Sequence, residues 1–373
     1  MMKASRSGWT YGRLVGVAGL LCLLLTGCWD QRAINSRDIV TTIGVDPTST
    51  HGEYRWAFVF PNPTTEPAGV GQTAGGPQVF TTTVRAQSFA GALASAQRAN
   101  TRELYLGQIR MLVLSTRLPA REWYHIIDAV TRPGSIVETI WLVGARDGRT
   151  VASYVPPSEQ VPEVGTYQAL ACGCLPMNWG KRLWQLWAET ETPGISPAVP
   201  VVDIHGSTFR FDRIAVLSPK AVTVWSQVAS AGWAYLTDRA VRASVTIQAG
   251  HRVVWAVQDI SGRAHVTLQN GSDGVTARVL LHERGFLSDT PRDTAISPRS
   301  EWRIEEAVSR QILHLCGEAV SKARRTGTDP FGWHRDYRWG AASLGHKVWT
   351  EGWAHWHVHI TVQFNLRGTG IMR

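Results

Sequence analysis

The sequence predicts an α+β fold of more than one domain, built from mostly antiparallel or mixed sheets with flanking helices behind a removable N-terminal leader. Three patterns predict it. The first residues are basic and then apolar. Strand-like and helix-like periodicities alternate through the first half. The second half is strand-rich around one long amphipathic helix. With 373 residues the chain is long enough for about two ordinary domains.

Composition narrows the class. Hydrophobic residues make up 44% and charged residues 18%, a globular balance rather than a disordered or collagenous one. The formal net charge of +9 suits an anionic surface, either nucleic acid or lipid. The basic residues are scattered, and the nearest thing to a run, Lys322, Arg324 and Arg325, suits a helix C-terminus. A membrane surface is therefore preferred to nucleic acid. The 17 tryptophans fit either wet–apolar interfaces or ordinary packing.

The leader spans residues 1–27. Lys3, Arg6 and Arg13 precede an apolar run from Leu14 to Leu25 without any acid. The run has the length of a signal-peptide core and falls short of the roughly 20 residues of a spanning helix. It ends in Leu25-Thr26-Gly27-Cys28, which resembles the bacterial lipobox. Small residues admit the backbone to the peptidase, and the Cys28 thiolate takes up a diacylglyceryl group. Two acyl chains anchor a protein stably where one does so only marginally. The expectation is a soluble body tethered through Cys28 to the outer face of a cytoplasmic membrane, with no cofactor other than this covalent lipid.

The mature chain divides into an α/β domain at 28–200 and a strand-rich domain at 201–373, the latter with a possible break near 285–298. In the first, residues 38–60 read as a hairpin, with Ile39, Thr41, Ile43 and Val45 on one face and Tyr54, Trp56, Phe58 and Phe60 on another. Pro61 to Pro77 reads as a loop and Phe80 to Val84 as a short strand. Ser88 caps a helix to about Ala99 with Phe89, Ala92, Leu93 and Ala96 on one side. Ile109–Leu114 reads as a buried strand, Trp123–Val130 as a helix stopped by Arg132-Pro133-Gly134, and Ile136–Val143 as a strand. Gly194–Pro200 reads as a proline-stiffened linker.

In the second domain Val201–Phe211 and Ile214–Leu217 read as strands around Asp212-Arg213. Val241–Ile247, Val253–Val257, His265–Leu268 and Val275–Leu281 follow, with Gly262 as a break. The long helix, 301–325, takes Ser300 as N-cap and places Ile304, Val308, Ile312, Leu315 and Ala319 on one stripe. Glu301, Glu305 and Glu306 load its start, and Gly327 stops it. The last strand alternates Trp356, Val358, Ile360, Val362, Phe364 and Leu366 with His355, His357, His359, Thr361, Gln363 and Asn365.

Five segments carry a family resemblance. They are Cys28-Trp29-Asp30-Gln31-Arg32 with Ile34-Asn35, Ile43-Gly44-Val45-Asp46, Asp128 with Arg132, Gly206 to Arg213, and Asp329-Pro330-Phe331-Gly332 with the ending Arg367 to Ile371. In this order they resemble the Ger(x)C family, the C subunits of spore germinant receptors in endospore-forming Firmicutes. The resemblance implies a lipoprotein with curved sheets that works beside a polytopic A subunit and a permease-like B subunit. It implies placement on the spore inner membrane and no enzymatic activity. Gln108 after Gly107, and a tail rich in Trp and His, depart from the family pattern.

Candidate chemistry is sparse. His355, His357 and His359 put three imidazoles on one strand face, a geometry a metal can use; a solvated polar face is preferred. Cys172-Gly173-Cys174 fits neither zinc-finger nor thioredoxin spacing, and with Cys316 these read as buried thiols rather than a bridge. No nucleophile elbow or phosphate-binding glycine loop is present, so no catalytic residue is assigned. The alternative from another class is the solute-binding lipoprotein of an importer, which should show two similar α/β lobes around a cleft.

Overall fold

The computed structural model describes Gly16 and residues 36–62, 79–134, 136–157, 164–177, 179–249, 252–271, 274–290, 297–343 and 355–368. The first strands are β1 (Arg37–Ile39), β2 (Thr42–Pro47), β3 (Tyr54–Pro61), β4 (Val79–Ala86), β5 (Glu103–Tyr105), β6 (Met111–Ser115) and β7 (Trp141–Ala145). Helices α1 (Phe89–Ala99), α2 (Ala120–Thr131) and α3 (Gly148–Ser153) are interleaved with or follow them. Two short helices, α4 (Val164–Ala171) and α5 (Leu183–Thr190), lead to β8 (Ala198–His205), β9 (Thr208–Leu217), β10 (Val222–Val224) and α6 (Gln227–Leu236). Then come β11 (Ala243–Ala249), β12 (Arg252–Gly271), β13 (Gly274–Asp289), α7 (Pro298–Thr326), α8 (Trp333–Ser343) and β14 (His357–Gly368).

Among the described residues the larger sheet has eight strands in the order β10-β9-β8-β7-β6-β2-β3-β4. Its centre is parallel, β2 with β6, β6 with β7 and β7 with β8, and antiparallel hairpins complete both flanks. Every residue of β6 and β7 is buried. Parallel strands covered on both faces need such continuous apolar runs. Here α1, α2 and α5 cover one face through Phe89, Trp123, Ile126 and Leu183. Helices α3 and α6 cover the other through Val151, Ala229 and Trp233.

The smaller sheet runs β11-β12-β13-β14, antiparallel except for the parallel pair β13–β14. A parallel pair requires a crossover, and α7 and α8 lie within it. Helix α7 buries Ile304, Val308, Ile312, Cys316, Ala319 and Ala323. On β14, Val358, Ile360, Val362, Phe364 and Leu366 turn inward, and every residue of the opposite parity from His357 to Arg367 is exposed. Both sheets meet the same core through α6, which is buried from Ala229 to Leu236 apart from Ala231. A Cβ on Gly232 would lie 1.9 Å from the Leu315 carbonyl oxygen, so α6 and α7 touch backbone to backbone.

Several boundaries differ from the sequence expectation, each for a local reason. Ser297, not Ser300, caps α7: its hydroxyl accepts from Ser300 N–H, and Pro298 fills the first helical position where no N–H is needed. The β8–β9 turn falls at Gly206-Ser207 rather than Asp212-Arg213, because Gly206 takes φ +59. Asp212 instead sits at a register shift, where Val201 faces Arg213 and Val202 faces Phe211. Residues 198–200, expected in a linker, already belong to β8. Gly262 does not break a strand; β12 continues through it for 20 residues. The strand expected at 136–143 is confined to β7, with Ile136 and Ile140 buried ahead of it. The Pro61–Pro77 loop falls from Pro63 onward outside the described residues.

Candidate functional site

Several of the described motif residues that carry the family resemblance secure turns, helix ends and close backbone contacts. Asp46, at the end of β2, is fully buried, and its carboxylate accepts N–H donation from Gly148 and Arg149, each at 2.8 Å. It therefore satisfies the first turn of α3, with Arg117 at 3.4 Å from the outside. A Cβ on Gly44 would come within 2.7 Å of the Gly148 carbonyl oxygen, so α3 lies directly on β2. Asp128 and Arg132 pair at 2.7 Å at the end of α2. Asp329 is buried and accepts from the N–H groups of Phe331, Gly332 and His334, shaping the turn between α7 and α8. Burial pushes its carboxyl up to about 7, although the three backbone donors pull the other way.

The lipobox, Leu25, Thr26, Gly27 and Cys28, lies outside the described residues. Among the described residues no helix is long and apolar enough to cross a membrane. His355, His357 and His359 are all exposed. On the neighbouring strand His357 faces Thr276 and His359 faces Arg278, so β13 brings a hydroxyl and a cation rather than a further ligand. No cluster of three or more His, Cys, Asp or Glu side chains among the described residues is placed to hold a metal ion.

The cysteines correct the sequence expectation. Cys172 and Cys174 are exposed and bonded to each other, while Cys316 is a buried free thiol. Gly173, at φ +61, turns the chain so that the two Cα atoms stand 5.2 Å apart, inside the normal range for a bridge. Cys316 sits in an apolar site that pushes its thiol up, the opposite of an activated nucleophile.

Two surface features stand out. A depression of about 550 Å³ lies between α2, α5 and the approach to β8, lined by Tyr124, Asp128, Trp187, Ile195 and Leu217. Trp187 is 40% exposed, and Trp184 on the same helix is 48% exposed. The second feature is the outer face of the smaller sheet, where a depression of about 850 Å³ is lined by Arg263, His265, His282, Arg284, Asn365 and Arg367. The pairing register puts Arg263 opposite His282 and Arg284 opposite both Ser261 and Asn365. The His265 and His282 rings meet edge to face at 5.8 Å. Glu283 forms part of the wall; it is 2% exposed, and burial, reinforced by Asp238, raises its carboxyl to about 8.

Sequence reasoning found the histidine row of β14 and missed the larger face to which it belongs. The signal was present as Arg263-x-His265 and as His282-x-Arg284, each at strand parity. It emerges only when the register of three strands is known.

Comparison with known proteins gives a consistent result. Residues 30–204 match the family described as spore germination protein N-terminal domain, and residues 212–370 match spore germination B3/GerAC like, C-terminal. The chain is 20% identical over 370 residues to the "Putative spore germination protein YfkR" of Bacillus subtilis (strain 168), covering 95% of each chain. Its fold is similar to the crystal structure of the GerBC protein, with a TM-score of 0.54 and 13% identity over 87% of this chain and 96% of that one.

Proposed function

Because the chain belongs to the Ger(x)C family of spore germination proteins, we propose that it is the lipid-anchored, non-catalytic C subunit of a nutrient germinant receptor. The observation that carries this reading is the succession of the two germination-family domains over residues 30–204 and 212–370, directly after the Leu25-Thr26-Gly27-Cys28 box. Diacylglyceryl modification of Cys28 would hold the body on the outer face of the spore inner membrane. There it would dock on a polytopic A subunit and a permease-like B subunit. Its contribution is a binding free energy that differs between the resting and nutrient-occupied states of the assembly, which is all that coupling requires.

The chemistry of the described residues supports a binding role over a catalytic one. The buried ionisable groups serve structure: Lys181 pairs with Glu189 at 2.5 Å, and Tyr54 donates to Glu122. The importer reading fits less well, since its two lobes would resemble one another, whereas an eight-stranded sheet and a four-stranded sheet differ here in size and topology. The test is affinity purification of the tagged chain from dormant-spore inner membrane. Co-purification of an A-type and a B-type membrane subunit is expected, together with loss of nutrient-triggered germination on deletion. A chain that purifies alone, and whose deletion leaves germination unchanged, contradicts the proposal.

A further inference from the structure

The outer face of β12, β13 and β14 carries an imbalance of charge. Between Ser261 and Gln269, Thr276 and Arg284, and His357 and Arg367, the outward parity holds Arg263, Arg278, Arg284 and Arg367, with histidines at 265, 282, 357 and 359. It holds no Asp or Glu. Elsewhere many arginines have acid partners, as in Arg117 with Asp46, Arg132 with Asp128, Arg210 with Asp212 and Arg213 with Asp203. Among the described residues no ion pair involves a residue of the smaller sheet. Three of the four arginines, with His265, His282 and Asn365, line the same depression of about 850 Å³, whose wall also includes Glu283, an inward-parity residue only 2% exposed.

We infer that this depression is a binding site for a phosphate-bearing group. Three guanidinium groups offer planar forks that match phosphate oxygens two at a time. The two imidazoles and the Asn365 amide supply further donors around them. Like charges gathered without ion-pair partners repel, and a multiply charged anion turns that repulsion into attraction. Phosphate fits better than a single carboxylate, because it carries more charge and more acceptor oxygens for the donors present. The group can arrive as the headgroup of an anionic lipid or as a soluble phosphate compound. The inference is independent of the receptor assignment, since it rests on the sheet face alone.

Arginine modification separates the two sources. The full-length chain in neutral detergent micelles is treated with phenylglyoxal, and labelling of Arg263, Arg284 and Arg367 is followed by peptide mass spectrometry. One arm uses micelles alone, a second adds sodium pyrophosphate, and a third dopes the micelles with phosphatidylglycerol. A probe at ten times its Kd should slow labelling at these positions about tenfold by mass action, while exposed Arg299, outside the site, keeps its rate. Protection by pyrophosphate identifies a soluble phosphate ligand, and protection only by phosphatidylglycerol identifies a headgroup. In the protecting arm, Arg284→Gln should restore labelling of Arg263 and Arg367. Equal labelling of the three positions in all arms, or slowing that extends equally to Arg299, overturns the inference.

Discussion

The eight-stranded and four-stranded sheets solve the same packing problem and differ in how they treat charge. The eight-stranded sheet is covered on both faces by helices, and its acids are tied down at several points: Asp46 by two backbone donors and Arg117, Asp203 and Asp212 by Arg213. The four-stranded sheet is covered by α6 and α7 on one face and leaves on the other an array of arginine and histidine without acids. A buried charge without a partner is costly, so the first sheet reads as a scaffold whose polar groups serve folding. An exposed array of like charge contributes little to folding, so the second reads as a surface kept for something outside the chain.

The largest effect that can break this comparison lies at the joint between the sheets. Gly232→Ala puts a methyl 1.9 Å from the Leu315 carbonyl oxygen. Separating α6 from α7 should cost about 3 kcal/mol, the upper range for overpacking, and one cooperative denaturant transition should shift to a lower midpoint. Two separate transitions would mean that the sheets do not share their core. Next in size, Asp46→Ala leaves the Gly148 and Arg149 N–H groups without their acceptor, at a cost of about 2–3 kcal/mol. A fall in midpoint far below this range would show that α3 does not depend on its buried cap.

A smaller effect comes from Glu283. Its carboxyl stands at about 8 in the folded chain against an ordinary 4.5, so the folded state holds the proton more tightly than the unfolded one. Its contribution is complete below about 4.5 and is lost as pH rises to about 8, so stability should fall across that window. The loss is a few kcal/mol at most, at about 1.4 kcal/mol per pKa unit. Glu283→Gln should flatten the fall in Tm between acid and mildly alkaline buffer; Asp329, raised in the same direction, keeps the remainder. A pH profile unchanged by the substitution refutes the buried neutral carboxyl.

The smallest effect sharpens the contrast itself. Arg213→Gln, which breaks a half-buried pairing with Asp203 and Asp212, should cost about 1 kcal/mol. Arg284→Gln should stay within about 0.5 kcal/mol of the parent, because it removes only repulsion. Equal losses from both would erase the distinction between a scaffold charge and a displayed one.

Much of this architecture was legible from periodicity. Strand β14 and helix α7 follow their apolar parity and stripe, and Ser88 caps α1 as read, its hydroxyl accepting from Gly91 N–H. Helices α3, α4, α5, α6 and α8 are not legible in the sequence pattern. Helix α3 has only six residues and depends on a carboxylate 102 positions away, a long-range donor set that no local pattern carries. Helix α6 is apolar all round because it lies between two layers, so it lacks the one-sided stripe that marks a surface helix. The pattern reads Cys172 and Cys174 as thiols rather than a bridge because it carries no sign of the turn at Gly173. The basic face escaped for the same reason as α3: its members are neighbours only across strands.

The proposed function depends most on a tether at Cys28, which would hold a chain with no spanning helix among its described residues at the membrane where the proposed receptor works. The direct measurement is the intact mass of the protein extracted from native spore membrane. A mature chain beginning at Cys28 and carrying a diacylglyceryl group is predicted. A chain that retains residues 1–27, with an unmodified Cys28 thiol, would contradict the account.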